Sequence, residues 1–163
     1  MNHSDEIKKL AESLLERMLE TYEVEVSEME DIYNIVIKTD DEASTIIGRH
    51  GETIRAFQKI MEVMLFKEVK EPVKLLVDVN DYRAKQKERL EYIGKQHADK
   101  VSETSAPAYL RGFSSYERKI IHEYITAHYS ELTTYSLGEG KDRRLVVTLK
   151  SDTNEQPQDE SME

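Results

Sequence analysis

Two stretches of helical hydrophobic spacing, one ending at Ile47 and one opening at Glu52, are separated only by Gly48-Arg49-His50-Gly51. Four residues must end one helix and start another. Glycine at both ends leaves no Cβ to block a close approach, and the second helix opens with unbonded N–H groups. A loop of this kind can receive a sugar-phosphate backbone. Arg49 would bring a permanent positive charge, and His50 an imidazole that can donate a hydrogen bond. The simpler reading is a helix–helix connection that uses glycine as its C-cap. The order of the flanking elements separates the two.

Ser4 to Thr21 reads as a helix capped by Ser4 or Asp5, with Ile7, Leu10, Leu14 and Met18 at helical spacing. Tyr22, Val24 and Val26 alternate with glutamates as a half-buried strand, and the acidic Ser27–Asp31 stretch reads as a turn. Ile32 to Lys38 is β-branched and aromatic, a central strand apolar on both faces. Asp40 or Asp41 is placed to cap a short helix from Glu42 to Ile47. Thr53 to Phe66 follows, with Ile54, Phe57, Met61, Met64 and Leu65 as its buried stripe, widened by Ile60. Pro72 stops the helix, and Val73, Leu75, Val77 and Val79 alternate as a third strand.

Helix–strand–strand–helix–[G-x-x-G]–helix–strand, with Ile46-Ile47-Gly48-Arg49-His50-Gly51 at its centre, resembles the bacterial (type II) KH domain, a single-stranded nucleic-acid binder that clamps about four nucleotides of backbone. The resemblance implies that Gly48 and Gly51 permit the approach and that Arg49 and His50 meet phosphate. Ile46, Ile47 and Ile54 would form an apolar wall for the bases. The expected KH domain spans residues 1–80.

Asn80 or Asp81 would cap a long bridging helix, 82–103, with Ala84, Leu90, Ile93, His97 and Val101 as its apolar seam and Gly94 as a weak point. After a short strand near Ala108–Arg111, Ser114 or Ser115 caps a helix with Glu117 in its first turn, running to about Tyr129. On a helical wheel, Tyr116, Ile120, Ile121, Tyr124, Ala127 and His128 share one face, and Arg118, His122 and Tyr129 share the opposite, outward stripe. A planar guanidinium fork, an imidazole and a phenol suit phosphate and base contacts, although a solvated helix face would look the same. Thr133–Leu137 and Arg143–Lys150 read as a hairpin about Gly138-Glu139-Gly140.

Arg118-x-x-x-His122, together with Gly138-Glu139-Gly140 and Arg143-Arg144-Leu145-Val146-Val147, is similar to the R3H domain, a small α/β single-stranded nucleic-acid binder. That likeness makes Arg118 and His122 a second grip, with Arg143 and Arg144 as further phosphate contacts. A KH domain followed directly by an R3H domain resembles the bacterial Jag family, also called KhpB or EloR, over residues 5–150. The fold implied is α+β: a type II KH domain joined by the bridging helix to an R3H domain at 81–150. A further N-terminal domain of many Jag proteins has no counterpart in these residues, so no membrane or division-site link is carried over. The family implies RNA-based regulation of cell elongation and wall synthesis, with a small single-KH protein as partner.

The net charge of −10 argues against nucleic acid until its distribution is considered. Residues 1–31 carry 10 acids and 3 bases, and 151–163 carry 5 acids and no base, so residues 32–150 are slightly basic at +2. Binding is therefore expected to be modest and salt-sensitive. The acidic tail, 151–163, is expected to be disordered. The absence of cysteine excludes disulfides, thiolate metal sites and a Cys nucleophile. His3, His50, His97, His122 and His128 lack metal-ligand spacing, and His128 reads as a core residue. There is no triad motif, Walker loop or dinucleotide fingerprint. No apolar run approaches the roughly 20 residues that span a bilayer, and no signal peptide is present. The expectation is a cytoplasmic, cofactor-free, non-enzymatic protein that binds single-stranded RNA, or DNA in its place. The alternative is a protein scaffold acting through the acidic first helix and the bridging helix.

Overall fold

A computed structural model describes residues 3–40 and 43–155. The chain divides into two compact units, Met1–Lys85 and Gln86–Glu163. Sequence reasoning had put the boundary at 80/81.

The first unit begins with α1 (Ser4–Leu15), β1 (Glu23–Met29) and β2 (Ile32–Lys38). It continues through α2 (Ala43–Ile47), the glycine loop, α3 (Glu52–Val69) and β3 (Lys74–Val79). This is the order expected from the sequence. β2 is central: β1 pairs with it antiparallel and β3 parallel, so Ile35 lies between Val26 and Val77. Tyr33, Ile35 and Ile37 join Leu75, Val77 and Val79 in the core, with Ile7, Leu10 and Leu15 of α1 and Ile54, Phe57, Met61 and Leu65 of α3. Burying each large side chain stabilises the unit by about 1.5–3 kcal/mol.

Several local readings are corrected. α1 stops at Leu15, not Thr21; the chain then tightens through Arg17 N to Leu14 O and Met18 N to Leu15 O. Its N-cap is His3, not Ser4 or Asp5. The turn is Glu30-Asp31 alone, both at positive φ, because β1 runs on to Met29. Ile32, Asn34 and Val36 are only half-buried, so β2 has one core face rather than two. Ile60 does not widen the α3 stripe; it is 50% exposed. α3 ends with Lys70 in the left-handed conformation, before Pro72 is reached. The cap expected at Asp41 lies outside the described residues.

The expected cap of the bridging helix, α4 (Tyr82–Thr104), is also reassigned. Asn80 is spent on Thr39, accepting from its N–H at 3.1 Å and donating to its carbonyl at 2.6 Å. Asp78 Oδ1 accepts from Arg83 N at 3.2 Å instead. Ala84 is exposed and does not join the seam.

The second unit holds most of α4, then β4 (Ala108–Leu110), α5 (Ser115–His128), β5 (Leu132–Leu137) and β6 (Arg144–Leu149). Its antiparallel sheet has the order β4-β6-β5. Leu90, Ala98 and Val101 of α4 and Ile121 and Ile125 of α5 pack with Leu110, Leu132, Leu145 and Val147 of the sheet. Gly94 is a point of close approach: a Cβ there would lie 3.3 Å from Tyr124 Cδ1 and 3.5 Å from Ile121 Cγ2. Ser114 caps α5 in a reciprocal box with Glu117, whose Oε1 also accepts from Gln86 at 2.6 Å. Lys150–Glu155 forms a 3-10 turn, so the tail is structured further than expected, and residues 156–163 lie outside the described residues.

Candidate nucleic-acid interface

The glycine loop is fixed from both sides. Gly48 N closes α2 on Ser44 O at 2.9 Å, and Gly48 itself sits at φ 71°, ψ −179°, a region essentially confined to glycine. A Cβ there would fall 2.1 Å from Thr53 Oγ1 and 2.9 Å from Thr53 N. His50 and Gly51 are left-handed at φ 52° and 73°. α3 starts behind Gly51 with no side-chain cap on its first amides, which suits an anion. Arg49 is exposed and His50 half-buried.

Two supports escaped the sequence reading. Arg55 Nε donates to Gly51 O and Nη2 to His50 O, both at 3.2 Å. The Tyr82 ring lies under Gly51, within 3.1 Å of where a Cβ would stand. Arg55 stands one turn past the second glycine, the only sequence signal that points to it. Tyr82 carries none, because its contact depends on the docking of α4.

The apolar wall is only partly as expected. Ile46 is fully buried and Ile54 is 3% exposed, so both belong to the core beneath the loop. Ile47 alone of the three is half-buried.

In the second unit, a cleft of about 360 Å³ lies between α5 and the sheet. Ser115, Arg118, Lys119, His122, Thr134, Ser136 and Arg143 line it. The outward stripe expected on α5 is corrected here. Arg118 is 8% exposed, donating from Nη1 to Phe113 O at 2.7 Å and from Nη2 to Ser115 Oγ at 3.0 Å. Burial, reinforced by the neighbouring Arg143 charge, moves the Arg118 guanidinium below its ordinary range. Tyr129 turns to α4, where its hydroxyl donates to Asp99 at 2.5 Å. Burial, then the Asp99 hydrogen bond, raises that phenol. Tyr116, Ala127 and His128 are exposed rather than buried, and His128 stacks on Tyr124 with ring centroids 4.3 Å apart.

His122 does line the cleft, its Nδ1 hydrogen-bonded to Thr134 Oγ1, which holds the ring in place. Arg143 lines it as well, whereas Arg144 does not. Lys119, Ser115 and Ser136 are additions that sequence reasoning missed. The lining contains no carboxylate, so it is a cationic, donor-rich pocket in a chain of net charge −10. No group of His, Asp or Glu among the described residues could hold a metal ion.

Comparison with known proteins matches both units. Residues 5–77 match the KhpA/KhpB KH domain and residues 88–149 the R3H domain. RNA-binding protein KhpB of Bacillus subtilis is 34% identical over 113 residues, which cover 69% of this chain and 54% of that protein. RNA-binding protein KhpB of Clostridium symbiosum is 32% identical over 127 residues, 78% of this chain and 56% of that one. The chain thus spans about half the length of these curated relatives. With the glycine loop in a KhpA/KhpB-type KH domain and the cationic cleft in an R3H domain that follows it, the chain belongs to the Jag/KhpB family.

Proposed function

We propose that this chain is a non-enzymatic single-stranded RNA-binding protein with two grips on one polymer. The observation that carries the reading is the cleft. Arg118, Lys119, His122 and Arg143 gather around a pocket free of carboxylates, in a protein that is otherwise strongly acidic. The glycine loop adds a backbone-accessible turn at an uncapped helix start. The names of the relatives agree with RNA as the ligand. Arg49 and His50 meet phosphate at the loop, and Lys119, His122 and Arg143 do so in the cleft, with Arg118 shaping the cleft from within. Single-stranded DNA is the competing ligand. Two weak sites on one chain raise overall affinity through effective concentration. Cytoplasmic residence and a role in cell elongation and wall synthesis belong to the same proposal and rest on the family. Among the described residues, no helix is long and apolar enough to cross a membrane.

The test is anisotropy of a labelled mixed-sequence single-stranded RNA across a salt series, with DNA of the same sequence alongside. The parent is expected to bind with a clear salt slope. A folded Arg49→Asp/His50→Asp variant should lose most of that binding. Failure of the parent to bind at low salt overturns the reading.

A protein contact is the second reading, and the outer side of α3 favours it. Ile60, Val63 and Phe66 are each about half exposed there (50%, 59% and 53%). An apolar helix face of this kind suits the single-KH partner that the family implies.

A further inference from the structure

One side of the sheet of the second unit lies mostly away from the cleft, which of its residues only Tyr135 lines. On β6, Leu145 and Val147 face the helices, which leaves Arg144 and Val146 on the opposite, outer face. Tyr109 on β4 and Tyr135 on β5 are both in register with Val146, and Leu137 is in register with Arg144. Val146 is fully buried yet lies outside the helix-side core. Tyr109 is 53% exposed and Leu137 44%.

Two features give this face a chemistry. The Arg144 guanidinium lies 5.3 Å from the centroid of the Tyr109 ring, and its Nε is buried with no hydrogen-bond partner among the described residues. No acidic residue occurs in β4, β5 or β6, in a chain that holds 33 of them. An aromatic ring backed by a cation, on strands that carry no carboxylate, is what a base of a single strand stacks on. The chain itself joins the face to the cleft. Arg143 lines the cleft on the helix side and Arg144 lies on the outer face, so consecutive arginines put positive charge on both sides of the same end of the sheet.

We infer that the outer face of the β4-β6-β5 sheet is a base-stacking surface for single-stranded RNA, with Tyr109 and the overlying Arg144 guanidinium as its platform. The inference rests on the RNA reading of the cleft: a strand held at Arg143 passes round the sheet end and lays its next bases on Tyr109. The cleft grips phosphate, and the outer face reads the flat surface of the base.

The experiment uses the full chain and a labelled mixed-sequence single-stranded RNA at one moderate salt concentration. Tyr109→Ala should weaken binding about fivefold or more, and Tyr109→Phe should keep it, because the ring and not the hydroxyl stacks. On an oligonucleotide of the same length with abasic positions throughout, Tyr109→Ala and the parent should bind equally. In the unsubstituted chain, RNA carrying 4-thiouridine should crosslink on irradiation to the peptide containing Tyr109, a readout independent of how any variant folds. Folded Arg49→Asp/His50→Asp and Lys119→Ala/His122→Ala variants run beside these. If they lose affinity while Tyr109→Ala does not and the crosslink is absent, the outer face is not an RNA surface and the RNA reading stands. Unchanged RNA affinity with a self-association that Tyr109→Ala abolishes would reassign the face to contact between copies. If the parent binds no RNA, both readings fall together.

Discussion

Arg55 Nε donates to the carbonyl of Gly51 at 3.2 Å, so a cation from the first turns of α3 holds down the second glycine of the loop that precedes it. The same guanidinium holds His50 O, which fixes two successive peptide groups of the loop. Arg55→Met should leave the fold intact and weaken RNA binding about three- to tenfold, the net scale of one ordinary hydrogen bond. The salt series separates positioning from contact. A residue that meets phosphate takes about 0.7 from the slope for a single strand when it is removed. Arg55 as a support should leave the slope unchanged.

Gly48→Ala should destabilise the KH unit. The backbone conformation alone costs a non-glycine residue about 1–3 kcal/mol. Thr53 Oγ1, at 2.1 Å from the added Cβ, must also rotate away, and Thr53 N at 2.9 Å cannot. Urea unfolding followed by circular dichroism would show the loss; an unchanged midpoint would contradict the loop geometry.

Arg118 and Lys119 should part company on substitution. Arg118→Ala leaves Phe113 O without its 2.7 Å donor in a nearly buried site, at a cost of about 1–3 kcal/mol. Arg118→Lys should not restore it, because one ammonium cannot reproduce the fork to Phe113 O and Ser115 Oγ. Lys119 is exposed, so Lys119→Ala should keep full stability and lose RNA affinity. Denaturation and anisotropy on the same samples check both halves.

Gly94 should tolerate one carbon and no more. Gly94→Ala gains about 1 kcal/mol of helix propensity and sets it against the 3.3 Å approach of Tyr124, a near-neutral outcome. Gly94→Val should cost about 1–3 kcal/mol through overpacking between α4 and α5. Thermal melts of the two variants would show the difference.

His97 gives the second unit an acid-sensitive contribution. Burial, with Lys100 adding to it, lowers its pKa below the ordinary histidine value. The folded chain therefore resists a proton that the unfolded chain accepts. This contribution is fully present above about pH 6.5 and is lost as pH falls through the folded value. Melting temperature should drop between pH 7.5 and 5.5, and His97→Gln should shrink that drop. An equal drop in the variant would assign it to other groups.

The order of the first unit and its third strand were legible because β3 places Leu75, Val77 and Val79, every second residue, on one core face. The glycine loop was legible because its conformation admits little but glycine at Gly48. The face of α5 was not. A helical wheel sends charge outward, yet Arg118 is buried, as Ile121 and Ile125 of the same helix are. The polar end of its long side chain is satisfied by Phe113 O and Ser115 Oγ. Periodicity cannot reveal that a loop carbonyl is waiting for a cation. Gly94 was misjudged for a related reason: its value lies in the proximity of α5, which no local pattern records. Ile60 shows the converse, an apolar residue at the right spacing that stays half exposed.

The parallel pairing of β2 with β3 bears on the order of events during synthesis. α2, the glycine loop and α3 all lie within the connection between those strands, so Ile35 must wait for Val77 before its ladder closes. Tyr82, beneath Gly51, emerges later still. A growing chain therefore cannot complete its loop until the far strand and the start of α4 have left the ribosome, and distant strand pairing is the slow kind. The glycine loop thus gains its last support only when that whole unit has been made.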